Sequence, residues 1–285
     1  MANENEQIIL DDEEIFDKDL LDDLIAKENI DGFREEFLAL HSYEQSEYFE
    51  VSDDDIRQKM YRYLSPDEVA EFFESLEIDE EEYEDLFEEM NAAYASKVLE
   101  HMSYDNAVDI LNQLSKKKIA SLLMLMNRED AKEIKALLHY DEDTAGGIMT
   151  TEFISLTINT PVHEALMRVK EQAPDAETIY VIFVVDEEKK LVGVLSLRDL
   201  IIAENDTYIE DIMNERVISA NVADDQEDVA QTMRDYDFIA MPVLDYQNHL
   251  LGIITIDDIV DVMDEEASED YSRLAGAVSY THLRA

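Results

Sequence analysis

The sequence contains no cysteine and no tryptophan among its 285 residues, and it is poor in lysine and arginine. The absence of cysteine excludes a disulfide scaffold and a thiolate metal site. Only 22 Lys and Arg residues stand against 71 Asp and Glu residues, so the formal net charge is −49. Because basic residues carry the affinity for phosphate backbones, nucleic-acid binding is excluded as the main activity. For the chain as a whole, the deficit of basic residues also argues against an anionic membrane surface as a direct ligand.

Long apolar runs are missing as well. The longest cover residues 119–126 and 180–185, far fewer than the ~20 residues that a membrane-spanning helix needs. The first ten residues lack the basic start and the apolar stretch of a secretory signal. We therefore expect a chain that is soluble in this form and lies in the cytoplasm.

The acidic residues are concentrated in two blocks. The net charge is −27 over residues 1–90, −2 over 91–150, −17 over 151–263 and −3 over the remainder. Such blocks stay solvated, repel their neighbours or are neutralised by cations. A plain solvated surface remains an open explanation, above all for residues 1–60.

The first half of the chain has the apolar period of helices. Apolar residues recur at intervals of three and four from Ser65 to about Tyr140. Capping residues predict helix starts at Ser65, Ser103, Ser115 and Asn127. A weak repeat of about 12 residues predicts short helices that are stable only when stacked. We therefore predict a superhelix of helical repeats.

The second half contains an internal duplication. The segment that begins at Ile148 is echoed by the segment that begins at Ile212, and Gly193 matches Gly252. Each copy predicts a short strand, a helix, a strand, a turn, a strand across the glycine and a final helix. Glycine within a β-branched run indicates a turn or a close backbone approach. The two copies can pack face to face as one α/β body.

Each copy carries a glycine followed by S-x-x-D or T-x-x-D, and the two together resemble a tandem CBS-domain pair. The acidic helices before them, the sequence AGGIMT at 145–150 and the sequence DEEASED at 264–270 extend the resemblance. Over roughly residues 60–276 the chain resembles the cytosolic part of an MgtE-type magnesium channel. It does not include that family's transmembrane helices.

The resemblance implies a multidomain α and α/β fold. An N-terminal helical-repeat superhelix is followed by a tandem CBS-domain pair and a C-terminal connecting helix. The expected domains are an acidic helical N domain (1–140), CBS domain 1 (141–203), CBS domain 2 (204–263) and a connecting, plug-type helix with a tail (264–285).

The predicted helix over residues 256–270 is the first candidate metal site. Its carboxylates at helical spacing are Asp258, Asp261, Glu265, Glu266, Glu269 and Asp270. The apolar residues expected on the opposite, buried side are Ile256, Ile259, Val260 and Met263. Like charges at these spacings repel one another, and acids near a helix C-terminus oppose the macrodipole. A bound divalent cation would remove this repulsion, although a solvated acidic face is the alternative.

Two further acidic groups are candidates. One consists of Asp225, Glu227 and Asp237, and the other of Asp105 and Asp109, four residues apart on one helix. Asp105 is equally well explained as a first-turn acid that favours the helix dipole, whereas Asp109 is not.

The family pattern places Asp105, Asp109 and Glu71 opposite the helix of Asp258, across a domain interface. All these ligands are carboxylates, which favour hard cations such as Mg²⁺ and Ca²⁺. Scattered carboxylates suit a hydrated Mg²⁺, while Ca²⁺ and Mn²⁺ stay open.

The S-x-x-D motif is a candidate nucleotide site. In nucleotide-binding CBS units the hydroxyl meets a phosphate and the Asp meets the ribose, so the resemblance points to Ser196, Arg198 and Asp199 as contacts for an adenine nucleotide such as ATP. A helix-capping box explains the same spacing. The sequence has no G-x-S-x-G, Walker A or H-E-x-x-H motif, so we expect no enzyme.

The resemblance therefore implies a regulatory function. We expect a homodimer, formed through the CBS domains, at the cytoplasmic face of the cell membrane and connected to its own transmembrane pore domain. Mg²⁺ would bridge the N domain, the CBS domains and the connecting helix, and so hold a closed state. The alternative is a CBS module that senses adenine nucleotides without sensing Mg²⁺.

Overall fold

The computed structural model describes residues 16–76, 78 and 80–263. The chain divides into two compact units. The first comprises Met1–Met102 and Asp109–Arg128, and the second comprises Ser103–Val108 and Glu129–Ala285.

Short helices follow one another through the first half of the described chain, which confirms the predicted helical repeat. They are α1 (Lys18–Ala26), α2 (Ile30–Phe37), α3 (Ser42–Glu50), α4 (Asp54–Tyr63), α5 (Pro66–Phe73), α6 (Glu80–Glu89), α7 (Ala92–His101), α8 (Tyr104–Asn112), α9 (Lys116–Leu125) and α10 (Asp130–Leu137). In the first unit α5 packs against α3 and α7, and α7 packs against α9, so the helices stack as repeats do.

The sequence also determines where these helices begin. Ser65 and Ser115 are the N-cap residues of α5 and α9, and α8 begins directly after Ser103, as predicted. The predicted start at Asn127 is wrong, because a turn follows it and α10 begins only at Asp130. The Ser side chains thus mark these helix starts, whereas Asn127 shows that a turn and a first helical turn look alike in sequence.

Aromatic rings fill the core of the first unit. The Phe49 ring lies 5.4 Å from the Phe72 ring and 5.3 Å from the Phe73 ring, centroid to centroid. All three side chains are at most 2% exposed. Around this core, the Arg57 guanidinium contacts the Glu89 carboxylate at 2.5 Å and donates to the Ser52 carbonyl at 2.8 Å. The aromatic burial and this ion pair together join helices that are individually too short to be stable.

The second unit contains the predicted duplication. The first copy is β1 (Phe153–Thr157), α11 (Val162–Gln172), β2 (Thr178–Val185), β3 (Leu191–Ser196) and α12 (Leu197–Ile202). The second copy is β4 (Ala220–Asn221), α13 (Gln226–Tyr236), β5 (Ala240–Leu244), β6 (Leu250–Thr255) and a helix whose described part covers residues 256–263. Each copy forms a three-stranded sheet with one parallel and one antiparallel pair, in the orders β1-β2-β3 and β4-β5-β6.

The segment before each copy pairs with the last strand of the other copy. Thr150 exchanges two backbone hydrogen bonds with Ile253 of β6, at 2.8 and 2.9 Å, and Asn214 does the same with Val194 of β3. A Cβ on Gly252 would lie 2.5 Å from the Thr150 carbonyl oxygen. The predicted close backbone approach at this glycine is therefore confirmed, and it lets the two copies form one body.

The helix over residues 256–263 buries a different side from the predicted one. Ile259 is fully buried, as expected, but its buried neighbour is Val262. Ile256, Val260 and Met263 are 40%, 51% and 37% exposed, so their predicted burial is wrong. The helix carries two apolar stripes, and only one of them can face the sheet of its own unit. Over the described residues, no helix of the chain is both long and apolar enough to cross a membrane.

Candidate metal and nucleotide sites

Asp105 and Asp258 form a pair of carboxylates within the second unit. Asp105 lies in the first turn of α8, and Asp258 lies in the first turn of the helix that follows β6. Asp105 is only 5% exposed, and the two groups are close enough for the charge of Asp105 to act on Asp258. Each negative charge is therefore partly removed from water and also faces a like charge.

Burial and charge repulsion both disfavour ionisation of this pair. Burial raises the pKa of Asp258 from its ordinary value of 3.8 to about 8, and the neighbouring negative charges of Asp105 and Asp257 act in the same direction. Burial also raises the pKa of Asp105, against the opposing effect of hydrogen bonds from the Asn106 N–H and the Ser103 hydroxyl. At neutral pH the pair thus needs a proton or a cation to relieve its repulsion.

Local hydrogen bonds hold both carboxylates in place. The backbone N–H of Thr255 and its hydroxyl donate to Asp258 Oδ2, at 3.1 and 2.7 Å. The first turn of α8 is held by Tyr104, whose N–H donates to Glu152 Oε2 at 2.9 Å and whose hydroxyl donates to Asp130 Oδ1 at 3.0 Å. These contacts hold the backbone next to each acid, so relief of the repulsion requires a movement of a whole helical turn rather than of one side chain.

The chemistry of the pair suits a hydrated hard cation. Mg²⁺ binds oxygen ligands, keeps several of its waters and needs only one or two carboxylates from the protein. Within the described part of the chain, no group of three or more His, Asp or Glu side chains is placed to hold a metal ion. A fully dehydrated protein cage is thus not what these residues form, whereas the buried carboxylate of Asp105 and the half-buried carboxylate of Asp258 fit, with water completing the coordination.

The other predicted metal ligands occupy separate places. Glu71 lies on α5, and Asp109 and Asp261 are exposed on their helices. Asp225 is the N-cap of α13, where its carboxylate accepts the Glu227 N–H at 3.0 Å. Asp237 ends α13 in the left-handed conformation. The predicted candidate carboxylates that lie outside the described residues are Glu265, Glu266, Glu269 and Asp270.

A cavity of about 320 Å³ lies between the two copies in the second unit. Its lining combines apolar residues of β2, β3 and β5 with the polar residues Ser196, Asp199, Asn214, Arg216 and Asp237. This volume and lining are typical of a small-molecule site with a few orienting polar groups.

Ser196 and Asp199 also form the capping box that the sequence offered as the alternative. The Ser196 hydroxyl donates to Asp199 Oδ2 at 2.6 Å, and the Asp199 N–H donates to the Ser196 hydroxyl at 3.1 Å. Arg198 is exposed and lies outside the cavity lining. Arg216, which the sequence analysis missed, supplies the basic group instead. Arg216 comes two residues after Asn214, which pairs with Val194 of β3. Asn214 corresponds to Thr150 in the duplication, so the place of this segment could have been found from the sequence.

A stack of short helices followed by two interlocked copies of one α/β unit defines a protein of the CBS-pair class with a helical N domain. The family models agree with this assignment. The MgtE intracellular N domain matches residues 40–143, and the CBS domain matches residues 145–206 and 209–265.

Similar proteins make the assignment specific. The chain is 55% identical over 257 residues to the magnesium transporter MgtE of Enterococcus faecalis. The matched region covers 90% of this chain and 57% of that protein. A crystal structure of the soluble part of a magnesium transporter is 54% identical, with a TM-score of 0.83, covering 88% of this chain and 98% of that one. The cytosolic domain of the Mg²⁺ channel MgtE in complex with ATP is 34% identical, with a TM-score of 0.81, covering 86% and 99%.

The chain therefore belongs to the MgtE family and contains its intracellular N domain and CBS pair. It spans about half the length of the curated relatives that it matches.

Proposed function

We propose that this chain is the cytosolic, Mg²⁺-sensing regulatory region of a magnesium transporter, located at the cytoplasmic face of the cell membrane, and that it has no catalytic activity. The main support is the carboxylate pair of the buried Asp105 and the half-buried Asp258. Asp105 lies in the stretch that matches the N domain, and Asp258 lies in the stretch that matches the second CBS domain. A cation held by both carboxylates would thus join the stretch that matches the N domain to the stretch that matches the second CBS domain.

The proposed mechanism is a population shift. When the pair is neutralised by a cation, the first turn of α8 and the helix at 256–263 can stay together. When the pair is ionised and empty, repulsion between Asp105 and Asp258 favours their separation. The shift is limited by how much more tightly the cation binds the joined state than the separated one. Further carboxylates, among them Glu71, Asp109 and the acids at 264–270, would steepen the response.

The helix at 256–263, which carries Asp258, would contact two proposed partners. Its exposed stripe of Ile256, Val260 and Met263, together with the exposed Ile201 and Ile202 of α12, supports homodimerisation through the CBS domains. The chain after this helix would lead to the transmembrane pore domain, so a shift of the helix would reach the pore.

Limited proteolysis and small-angle scattering with increasing MgCl₂ test the proposal. We expect Mg²⁺ to protect and compact the chain, and KCl at matched ionic strength to do neither. In Asp105→Asn with Asp258→Asn the Mg²⁺ response should be lost. The proposal fails if MgCl₂ has no effect on the wild type, or if KCl acts equally well, which would indicate a plain acidic surface.

Adenine-nucleotide binding is a second candidate function. It is supported by the cavity lined by Ser196, Asp199 and Arg216, and by the related cytosolic domain that is described in complex with ATP. Arg216 offers a guanidinium for phosphate, and Asp199, the candidate contact for the ribose, lines the same cavity. Titration calorimetry with ATP should show binding that Arg216→Ala weakens and Arg198→Ala leaves unchanged. Equal binding by wild type and Arg216→Ala would contradict the assignment.

A further inference from the structure

The helix α9 carries a surface whose charge is opposite to that of the rest of the chain. No acidic residue occurs between Asp109 and Glu129, although one residue in four of the whole chain is Asp or Glu. The same stretch contains Lys116, Lys117, Lys118 and Arg128. This local excess of basic residues belongs to the first unit, and neither the proposed cation site nor the cavity uses it.

The fold uses only part of this surface. The Lys118 ammonium donates to the Phe87 carbonyl at 2.7 Å, so this lysine has a structural role. Lys116, Lys117 and Arg128 are exposed. Between them lie Met124, which is 84% exposed, and Leu125, which is 48% exposed. Lys117 and Met124, seven residues apart, lie on one side of α9, and Arg128 lies in the turn that follows the helix.

Helix stability does not explain this arrangement. Lysines in the first turn oppose the macrodipole, so Lys116 and Lys117 weaken α9 slightly. Burial of α9 uses the other side of the helix, through Leu122 and Leu123. The surface that faces solvent is therefore an apolar centre between basic ends, and each of these features is unfavourable or neutral for the isolated molecule.

We propose that the surface formed by α9 and the turn after it, defined by Lys116, Lys117, Met124, Leu125 and Arg128, docks on an anionic lipid bilayer. Basic side chains attract acidic headgroups, while exposed apolar side chains enter the boundary between headgroups and acyl chains. The proposal rests on the proposed function only for the presence of a membrane nearby. An acidic protein surface would complement the bases but would place carboxylates against Met124.

Because the chain has no cysteine, a single reporter can be introduced. Met124→Cys would carry an environment-sensitive fluorophore, and Met167→Cys on α11, which replaces another exposed methionine, is the matched control. Each labelled chain is titrated with phosphatidylcholine vesicles, with vesicles that contain about 30 mol% phosphatidylglycerol, and with polyglutamate. All titrations are made in EDTA, which separates this test from Mg²⁺ sensing.

We expect a blue shift at position 124 with the anionic vesicles alone, and none at position 167. Lys117→Glu with Arg128→Glu should weaken the vesicle binding about 30-fold or more, because each basic residue near the surface contributes about 1 kcal/mol. Since Glu in a first turn favours the helix dipole, this variant should keep the helical circular dichroism. The control pair Arg62→Glu with Lys170→Glu, which makes the same charge change at exposed sites on other helices, should bind normally.

Three results would overturn the proposal. They are an absent vesicle response at position 124, an equal response at position 167, and a response to polyglutamate without one to anionic vesicles. The last result would assign the surface to an acidic protein instead.

Discussion

Replacing Asp258 by Asn should make the cation-free protein more stable while removing its response to Mg²⁺. An Asn side chain has nearly the same shape, and its oxygen can still accept the two hydrogen bonds from Thr255. It cannot ionise, so the repulsion from Asp105 and the cost of burying a charge both disappear. A loss of one carboxylate would ordinarily be expected to weaken a charged contact, and this prediction has the opposite sign.

The pKa shift sets the magnitude. The pKa of Asp258 rises from 3.8 to about 8 in the folded protein. One pKa unit corresponds to about 1.4 kcal/mol, but the pair shares its repulsion and relaxes, so about 3 kcal/mol at pH 8 is a realistic upper value. For a unit of this size that corresponds to a rise of roughly 10 °C in Tm.

The direction with pH follows from the same shift. A raised carboxyl pKa contributes stability that is fully present below the unfolded value and is lost as the pH rises through the folded value. Wild-type protein in EDTA should therefore become more stable as the pH falls from 8 to 5, whereas Asp258→Asn should keep only the part of this dependence that comes from Asp105, whose pKa is also raised by burial. At pH 8, Mg²⁺ at ten times its Kd should stabilise the wild type by about 1.4 kcal/mol.

Differential scanning calorimetry in EDTA and in MgCl₂ measures the stabilisation by Asp258→Asn, its dependence on pH and the stabilisation of the wild type by Mg²⁺. Asp261→Asn is the matched control, because it removes an exposed acid from the same helix. If Asp258→Asn lowers Tm at pH 8 in EDTA, or if it keeps the full Mg²⁺ stabilisation, the pair does not store the repulsion described above.

Three other substitutions test separate parts of the structure. Arg57→Met should lower the free energy of unfolding by about 2 kcal/mol in urea titrations, because it leaves the largely buried Glu89 unpaired; a neutral result would mean that this ion pair adds no stability. Gly252→Ala should cost at least about 2 kcal/mol, since its Cβ would lie 2.5 Å from the Thr150 carbonyl oxygen; an unchanged Tm would refute the required close approach. Val260→Asp should make the chain monomeric in sedimentation without lowering its Tm, and a persistent dimer would exclude the exposed stripe as its interface.

The duplication made the second unit predictable from sequence. The repeat of strands, helices and glycines specifies two similar sheets, because each glycine must admit a crossing backbone from the other copy. Ser65 specified the start of α5 for an equally local reason, since it forms a capping box with Glu68 in the turn that directly follows it. Local signals of this kind need no knowledge of the tertiary structure.

The helix at 256–263 shows where periodicity alone fails. Ile259 with Val262 and Ile256 with Val260 are both acceptable apolar stripes, and only packing on the sheet selects the first. The same limit applies to carboxylates. Asp225 as an N-cap and Asp258 as the partner of the buried Asp105 look alike in sequence, because only the fold shows that Asp258 has this distant partner. The link between Asp105 and Asp258 came from the family pattern, and Arg216 was missed because it contributes to the cavity from an irregular segment outside the repeated strands and helices.

An anomalous-scattering experiment tests the central claim most directly. Crystals grown with Mn²⁺, which shares the oxygen ligands and octahedral preference of Mg²⁺, would reveal where a hard divalent cation binds. The account predicts an anomalous peak between the carboxylates of Asp105 and Asp258, which excess Mg²⁺ removes and which is absent from Asp105→Asn with Asp258→Asn. Occupied Mn²⁺ sites elsewhere on the chain with none at this pair would contradict it.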